Sequence, residues 1–335
     1  MSTEPPQLIF EAMSPAAFPL EPRRIAALWR RLLAFCVDAI VLGLAGLVLG
    51  YIFFDLFMGL GPAGRLVGYF VGFFYFAIPE SSFGNGQSIG KRLLGIQIVD
   101  ADGVPLSIEQ SSIRYTLFAI PWFLNGLPIP VTRTPAAVVF LLGMAVFGLG
   151  GATNYLMLFN RNTRQGVHDL AVGSYVVEAG RSGRVRLNPV RRVHWIVAAV
   201  IVILAAAAGI VAPRFARRQF PQLLEDARQV EQLPGVQSAG INRVTTYRSG
   251  AHDSSLVVTV RCVVADTDEQ ALANQVADSI LTTDSGIDQY SVLRIVVVRG
   301  YDIGIAHGSF AQTYSDTPAG WKRQFFGVSP QLPAH

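Results

Sequence analysis

Apolar and polar positions divide the chain into two unlike parts. Up to about residue 212 the sequence contains long apolar runs, and a run of about 20 apolar residues can cross the ~30 Å hydrocarbon core of a bilayer. The runs are Leu32–Phe54, about Ala63–Pro79, Ile113–Pro130, Ala136–Phe159 and Trp195–Ala212. The third is the weakest because Pro121, Asn125 and Gly126 interrupt it. This run therefore either spans the membrane or lies re-entrant or along the interface.

The part after residue 213 has the periodicity of a soluble domain. Residues 256–264 alternate apolar and polar as in a half-buried strand, whereas Leu272, Val276 and Ile280 form one apolar stripe of a helix. A helix is predicted at Pro221–Leu233 and strands at Val236–Tyr247 and Val292–Arg299, with an irregular, aromatic-rich segment after Gly300. The whole pattern predicts an α-helical polytopic membrane bundle, of four helices plus a fifth anchor helix, followed by a small two-layer α+β soluble domain.

The same pattern sets the domain boundaries. Residues 1–22, with five prolines and no apolar stretch of signal-peptide type, are interpreted as a disordered arm. The predicted parts that follow are a transmembrane domain at 23–180, a basic cytoplasmic linker at 181–193, a transmembrane helix at 194–213 and an extracytoplasmic α+β domain at 214–335.

The amino-acid composition excludes several classes of protein for this chain. Apolar residues make up 51% of the 335 residues and charged residues 15%, which excludes disorder for the bulk of the chain. The net charge is only +4, and the basic residues do not cluster in a way that would indicate a nucleic-acid partner. Cys36 and Cys262 are too few for a disulfide scaffold, and we interpret both as buried small apolar residues. No metal or cofactor is predicted, and without a catalytic constellation the chain is not expected to be an enzyme.

Basic residues predict the orientation in the membrane. With a cytoplasmic N-terminus and five crossings, fourteen basic residues fall on inner segments and only Arg65 and Arg133 on the short outer loops. This bias follows the positive-inside rule. It predicts a multi-pass protein of the plasma membrane with the lipid bilayer as one partner and the C-terminal domain outside.

Asp38 is the most informative single residue because it lies within an apolar run. Ionisable groups in membrane helices mark ion paths, proton relays or buried pairs. Arg31 precedes Asp38 by seven residues and so lies on nearly the same helix face. Two interpretations stay open, a buried pair that holds helices together and an ion- or proton-handling site. Glu80, at the end of the second run, is interpreted as an interface residue without a special role.

The segment after the second run, GNGQSIGKRLLGIQIVDADG, resembles a phosphate-binding loop only superficially. Asn85 stands where the Walker A pattern needs glycine, and Arg92 stands where it needs serine or threonine. The segment instead predicts a glycine-rich turn and a strand at Leu94–Val99, which could pair with the strand-like AVGSYVV. Lys91, in a chain with only two lysines, would either bind lipid phosphates or neutralise an acidic partner.

Glycines spaced by four residues mark faces where chains approach closely. Gly64, Gly68 and Gly72 in the second run, and Gly46 and Gly50 in the first, predict close helix–helix packing, more readily within one chain than between two.

Three separate stretches together resemble the RDD family of bacterial membrane proteins, which is named for one arginine and two aspartates. The matching residues are Arg31 and Asp38 in RRLLAFCVD, Asp169 in RQGVHDLAVGSYVV, and Gly86, Gln87, Gly90 and Lys91 in the loop. The resemblance covers about residues 24–178 and implies a membrane bundle. Transport of unidentified ligands has been proposed for the family, and some members are reported to act as cation/proton antiporters.

Two hypotheses of function follow. In the first, the bundle moves a small ion or solute by cation/proton exchange, with Asp38 and Arg31 near the path. In the second, the bundle is a non-enzymatic anchor or assembly platform, whose C-terminal domain binds an envelope protein or another copy of the chain. The intramembrane carboxylate favours the first hypothesis and the exported domain favours the second.

Overall fold

The computed structural model describes residues 23–130, 132–181, 183–185, 189–248, 251–263 and 268–326. The predicted arm at 1–22 and parts of the predicted linker at 181–193 lie outside these residues. The described chain forms a helical bundle followed by a domain built on a four-stranded sheet. The predicted fold class is therefore confirmed.

Nine helices and two short strands are described before residue 220. They are α1 (Leu28–Ile52), α2 (Phe54–Leu60), α3 (Gly64–Ala77), α4 (Ile89–Leu93), β1 (Ile96–Val99), α5 (Ile108–Leu124), α6 (Ala136–Gly143), α7 (Gly150–Phe159), α8 (Val167–Val172), β2 (Tyr175–Glu178) and α9 (Arg192–Gln219). A π-helical turn, Met144–Leu149, joins α6 to α7. Four segments are long and apolar enough to cross a membrane, namely Leu28–Ile52, Phe54–Ala77, Ala136–Phe159 and Arg192–Gln219.

Helix α5 corresponds to the weak third run but is shifted along the sequence. It begins after a capping box, in which the Ser107 side chain accepts from the Gln110 N–H and the Gln110 side chain accepts from the Ser107 N–H. It ends at Leu124, before the predicted limit of Pro130, and contains Pro121 within its last turn. Its 17 residues have a length of about 25 Å at 1.5 Å per residue.

The two short strands pair antiparallel, with Gln97 opposite Val177. The predicted pairing of the loop strand with the AVGSYVV strand is confirmed. Ile96 and Ile98 of β1 and Val176 of β2 are buried together with Ala34 of α1. The small sheet therefore covers the end of the bundle where α1 begins, which we call the charged end.

The C-terminal domain comprises α10 (Pro221–Val230), β3 (Val236–Arg248), β4 (Ala251–Cys262), α11 (Glu269–Thr283), β5 (Val292–Asp302), β6 (His307–Asp316) and α12 (Pro318–Phe326). The strand order is β3-β4-β5-β6, with β4 and β5 parallel and the other two pairs antiparallel. Helix α11 connects the parallel pair and buries Leu272, Val276 and Ile280 against the sheet, as the apolar stripe predicts.

The segment after Gly300 is not irregular, and that expectation is wrong. Strand β5 continues to Asp302, β6 pairs with it, and α12 packs back on the sheet with Trp321 stacked on Phe325. Strand β6 is largely exposed and so lacks the apolar alternation that identifies a half-buried strand. The expectation for the first cysteine is also wrong, since Cys36 is exposed on α1, whereas Cys262 is buried as predicted.

Four of the glycines predicted to bring helices together receive a β-hairpin instead. We call residues 303–306, between β5 and β6, the hairpin tip. A Cβ on Gly46 would lie 2.7 Å from that of Ala306, and a Cβ on Gly68 would overlap the carbonyl of Ile303. Gly50 and Gly64 face Tyr301 and Asp302, at the end of β5. Of the five predicted positions, Gly72 packs helix on helix, against Tyr115 of α5.

Candidate functional site

Asp38 lies at the centre of a group of polar contacts near the charged end. Its side chain is fully buried on α1. The Tyr75 hydroxyl of α3 donates to Oδ1 at 2.7 Å and the Ser88 hydroxyl to Oδ2 at 2.6 Å. The Gly90 N–H, in α4, donates to Oδ1 at 2.8 Å. The Lys91 ammonium lies 4.0 Å from Oδ2, so Asp38 is held mainly by neutral donors.

The glycine-rich loop allows α4 to pack closely against α1. A Cβ on Gly90 would overlap the carbonyl oxygen of Ala34, so only glycine permits this approach. Gly86 has a φ of +70°, and a Cβ there would overlap the Ile98 carbonyl oxygen. The Gln87 side chain donates to the Ile96 carbonyl at 2.8 Å and fastens the turn to β1. The loop motif therefore positions donors around Asp38, with Lys91 beside them.

Arg114 connects the other two buried carboxylates. Its Nη1 donates to Glu80 Oε2 at 2.7 Å and its Nε donates to Asp169 Oδ1 at 2.8 Å. The Lys91 ammonium binds the other oxygen of Glu80. A continuous chain of charges thus runs from Asp38 through Lys91, Glu80 and Arg114 to Asp169. We call these five residues and Arg31 the charge network.

Arg31 does not bridge to Asp38 but anchors the loop before β2. Its guanidinium donates to the carbonyls of Arg164 at 2.6 Å and Val176 at 3.0 Å, with a longer bond to Thr163 at 3.4 Å. Arg31 is therefore not the partner of Asp38, whose ion pair in the structure is with Lys91. The seven-residue spacing does place both on the buried face of α1, as predicted.

Two members of the charge network were not recognised from the sequence. Glu80 is 2% exposed and binds both Lys91 and Arg114, so its interpretation as an interface residue without a special role is wrong. Arg114 was counted only as an inner basic residue. Its position as the one charged residue of the third apolar run, Ile113–Pro130, is the signal that could have identified it. Lys91 binds an acidic partner within the chain, one of its two predicted roles.

Residues 25–173 match the model of the RDD family. This region belongs to the RDD family. The match spans the whole charge network, including Arg31, Asp38 and Asp169, to which the resemblance assigns the arginine and the two aspartates of the family name. It ends at Gly173, so β2, α9 and the C-terminal domain lie beyond the RDD domain. A search of curated proteins finds no match to the chain.

The second aspartate of the RDD domain, Asp169, is held ionised. Burial alone would raise the pKa of its carboxyl group. The imidazole of His168 and the guanidinium groups of Arg114 and Arg31 outweigh burial, so this pKa lies well below its usual range. Burial lowers the pKa of His168 to about 4, which leaves its imidazole neutral at physiological pH. Among the described residues, no group of three or more His, Cys, Asp or Glu could hold a metal ion.

The buried neutral state of His168 predicts a loss of stability in mild acid. Between a folded-state pKa of about 4 and the ordinary value of 6.5, the unfolded chain binds a proton that the folded chain excludes. Stability is therefore complete above about pH 6.5 and falls towards pH 4, by about 2 kcal/mol at pH 5. Thermal unfolding in detergent at several pH values measures this fall. It should shrink in His168→Gln and persist in the control His307→Gln, whose side chain is exposed; an equal fall in both variants contradicts the assignment.

An apolar cavity of about 60 Å³ lies beside the charge network, between α1, α3 and α5. Ala39, next to Asp38, lines it, as does Phe76, next to Tyr75. Aromatic side chains of α5 form much of its wall, including Tyr115, Phe118, Trp122 and Phe123. The cavity therefore extends from the surroundings of Asp38 towards the end of the bundle that carries the C-terminal domain.

Proposed function

We propose that the RDD domain exchanges a small cation for protons across the bilayer, with Asp38 as the carboxyl group that binds and releases the proton. The observation that carries this proposal is the difference between the three buried carboxylates among the described residues of the RDD domain. Glu80 and Asp169 each contact the permanently charged Arg114, whereas Asp38 receives neutral donors and has Lys91 only at 4.0 Å. Protonation of Asp38 therefore breaks no direct contact with an arginine.

The hydrogen-bond partners of Asp38 support alternate binding of a proton and a cation at its carboxyl group. Its two oxygens accept from two hydroxyl groups and one N–H, and hydroxyl oxygens can also accept when the carboxyl is protonated. An apolar cavity of about 60 Å³ adjoins this part of the bundle. Arg31 does not line the cavity and acts by holding the loop that carries Arg164.

We propose the orientation that the distribution of basic residues predicts, with five crossings, the charged end at the cytoplasm and the C-terminal domain outside. The contacts of α5 support a crossing. Arg114, in its first half, contacts the charge network, and Trp122, in its last turn, donates to the Gly304 carbonyl at 3.0 Å. Arg114 and Trp122 are eight residues apart, about 12 Å along the axis, so the two sets of contacts lie on either side of the middle of α5.

Replacing Asp38 with asparagine is expected to abolish cation-driven proton flux, because an amide cannot release a proton. The measurement is the change of internal pH in vesicles that contain the purified protein, after gradients of Na⁺ or K⁺ are imposed. Asp55→Asn is the matched control, because Asp55 is an exposed carboxylate of α2. Both variants must keep the unfolding temperature of the parent protein to within a few degrees.

The results separate the two hypotheses of function. Flux in the parent and in Asp55→Asn, but not in Asp38→Asn, supports exchange at Asp38. Flux retained in Asp38→Asn overturns that role. No flux in the parent protein under either gradient overturns the transport proposal and favours the anchor or platform, whose partner would then be sought on the C-terminal domain.

A further inference from the structure

The hairpin tip and the adjoining end of β5 lie in a cleft between α1 and α3, with Gly304, Ile305 and Ala306 half-buried. Ile303 is fully buried, and Tyr301 is 5% exposed against Phe54 and Phe57 of α2. The backbone of Ile303 lies directly against Gly68, where any side chain would overlap it. The cleft can therefore hold the backbone of the tip only because residue 68 has no side chain.

Four backbone polar groups of the tip are hydrogen-bonded within the cleft, where an unpaired group would be costly. The Ile303 N–H donates to the Ala306 carbonyl at 3.0 Å, and the Gly304 N–H donates to Asp302 Oδ1 at 2.8 Å. Trp122 binds the Gly304 carbonyl. Gly304 has a φ of +79°, and a Cβ there would overlap the Phe123 ring, so the turn is built for this position.

One arginine ties the tip to two helices. Arg65, at the start of α3, donates to Asp302 Oδ2 at 2.5 Å. Its Nη1 also donates to the carbonyls of Phe123 at 2.8 Å and Asn125 at 2.6 Å, at the end of α5. Arg65 is one of two arginines on the predicted outer loops, against the positive-inside bias. Its contact with Asp302 accounts for this position.

The tip also forms one wall of the apolar cavity. Nine of the ten lining residues belong to α1, α3 and α5, and the tenth is Ile305 of the tip. The cavity therefore lies between the surroundings of Asp38 and the tip, which covers it on the side of the C-terminal domain.

The tip and the core of the C-terminal domain are separate clusters. The domain core contains Leu293, Ile295 and Val297 of β5, whereas Tyr301 and Ile303 pack with Phe57 of α2 in a different cluster. Withdrawal of the tip would break the second cluster and the Arg65–Asp302 contact but would leave the domain core intact. The domain can thus remain folded in both positions of the tip.

From these contacts we infer that the hairpin tip is a removable plug, which closes the outer end of the cavity and opens it on withdrawal. The inference rests on the proposed function only for what the opening would admit. Whether the tip closes the cavity does not depend on transport. The occupant of the cleft is a segment of the same chain, so the C-terminal domain controls access to the RDD domain.

The experiment measures the position of the tip and the state of the cavity with two cysteine reporters. Both are introduced into Cys36→Ala, Cys262→Ala protein in sealed spheroplasts. Ile305→Cys reports the tip, and Ala119→Cys, 1% exposed at the cavity wall, reports the cavity. A membrane-impermeant maleimide is added outside. While the tip is seated, Ala119→Cys should react slowly, and the half-buried Ile305→Cys should react at a measurable rate that serves as its baseline.

Gly68→Leu is the variant expected to displace the tip, because its side chain would occupy the position of the Ile303 carbonyl. We expect both reporters to react at least about tenfold faster, since labelling follows the population of the open state. Gly59→Leu is the matched control, because a Cβ on Gly59 meets nothing within 4 Å. Asp302→Asn, which weakens the bond to Arg65 without adding volume, should give a smaller increase and avoids a folding defect.

Each outcome decides the inference. Faster labelling of both reporters supports the plug, whether or not the protein shows flux. Unchanged labelling of Ile305→Cys in both variants overturns the removable tip, and faster labelling of Ile305→Cys alone overturns closure of the cavity. Labelling that requires permeabilised cells overturns the outside position of the tip. If the tip opens and vesicles still show no flux, the proposed transport fails while the plug stands.

Discussion

Arg114→Met should destabilise the RDD domain more than any other single substitution in the charge network. The arginine is buried and binds Glu80 and Asp169, so its loss leaves two carboxylates without their shared cation. Removing one partner of a buried ion pair costs about 3–5 kcal/mol, because the other charge stays desolvated. Methionine keeps much of the side-chain length, so the loss reports charge more than volume.

Unfolding in detergent, followed by circular dichroism, measures this loss. Arg161→Met is the control, because Arg161 is exposed in the loop after α7. Adding Glu80→Gln and Asp169→Asn to Arg114→Met should recover part of the lost stability, since the stranded charges are then removed. A loss below about 1 kcal/mol for Arg114→Met, typical of surface ion pairs, would show that the network is hydrated and weak.

Gly90→Val should have the second largest effect, through the backbone of α1. A Cβ at this position would overlap the Ala34 carbonyl oxygen and lie 3.0 Å from Asp38 Cγ. Helix α4 must therefore move away, which weakens the N–H bond to Asp38. Overpacking alone costs about 1–3 kcal/mol, and the lost hydrogen bond to a charged group adds about 1.5–3 kcal/mol.

The same unfolding measurement tests this expectation. Gly59→Ala is the control, and it should keep or slightly raise the stability, since alanine is favoured over glycine in a helix by about 1 kcal/mol. If Gly90→Val unfolds at the temperature of the parent protein, α4 does not need its close approach to α1. Ion flux in Gly90→Val should fall with stability if the N–H of residue 90 helps to hold Asp38.

The apolar membrane segments and three of the four strands of the C-terminal domain could be predicted because each has a local pattern. Length and hydropathy identify the four apolar segments, and alternation identifies β4. Strand β6 could not be identified in this way, because both of its faces are largely exposed and neither carries an apolar repeat. Its pairing depends on β5, which alternation predicts only to Arg299.

The charge network shows a different limit of the sequence. Asp38 and Asp169 stand out as charges near apolar runs, and the family resemblance names both. Their partners come from segments whose return to the same place depends on the three-dimensional path, as with Glu80 and Arg114, which are 34 residues apart. The hairpin tip is the extreme case, since Arg65 and Asp302 are separated by 237 residues.

Pro121 gives α5 a joint between its two sets of contacts. Proline has no N–H to bond the carbonyl four residues earlier, so a helix bends most easily there. Arg114 lies on one side of this joint, and Trp122 and Phe123 lie on the other. The last turn of α5, which contacts the hairpin tip and Arg65, is therefore joined to the preceding turn by one helical hydrogen bond fewer, whereas Arg114 fastens the first half of the helix to Glu80 and Asp169.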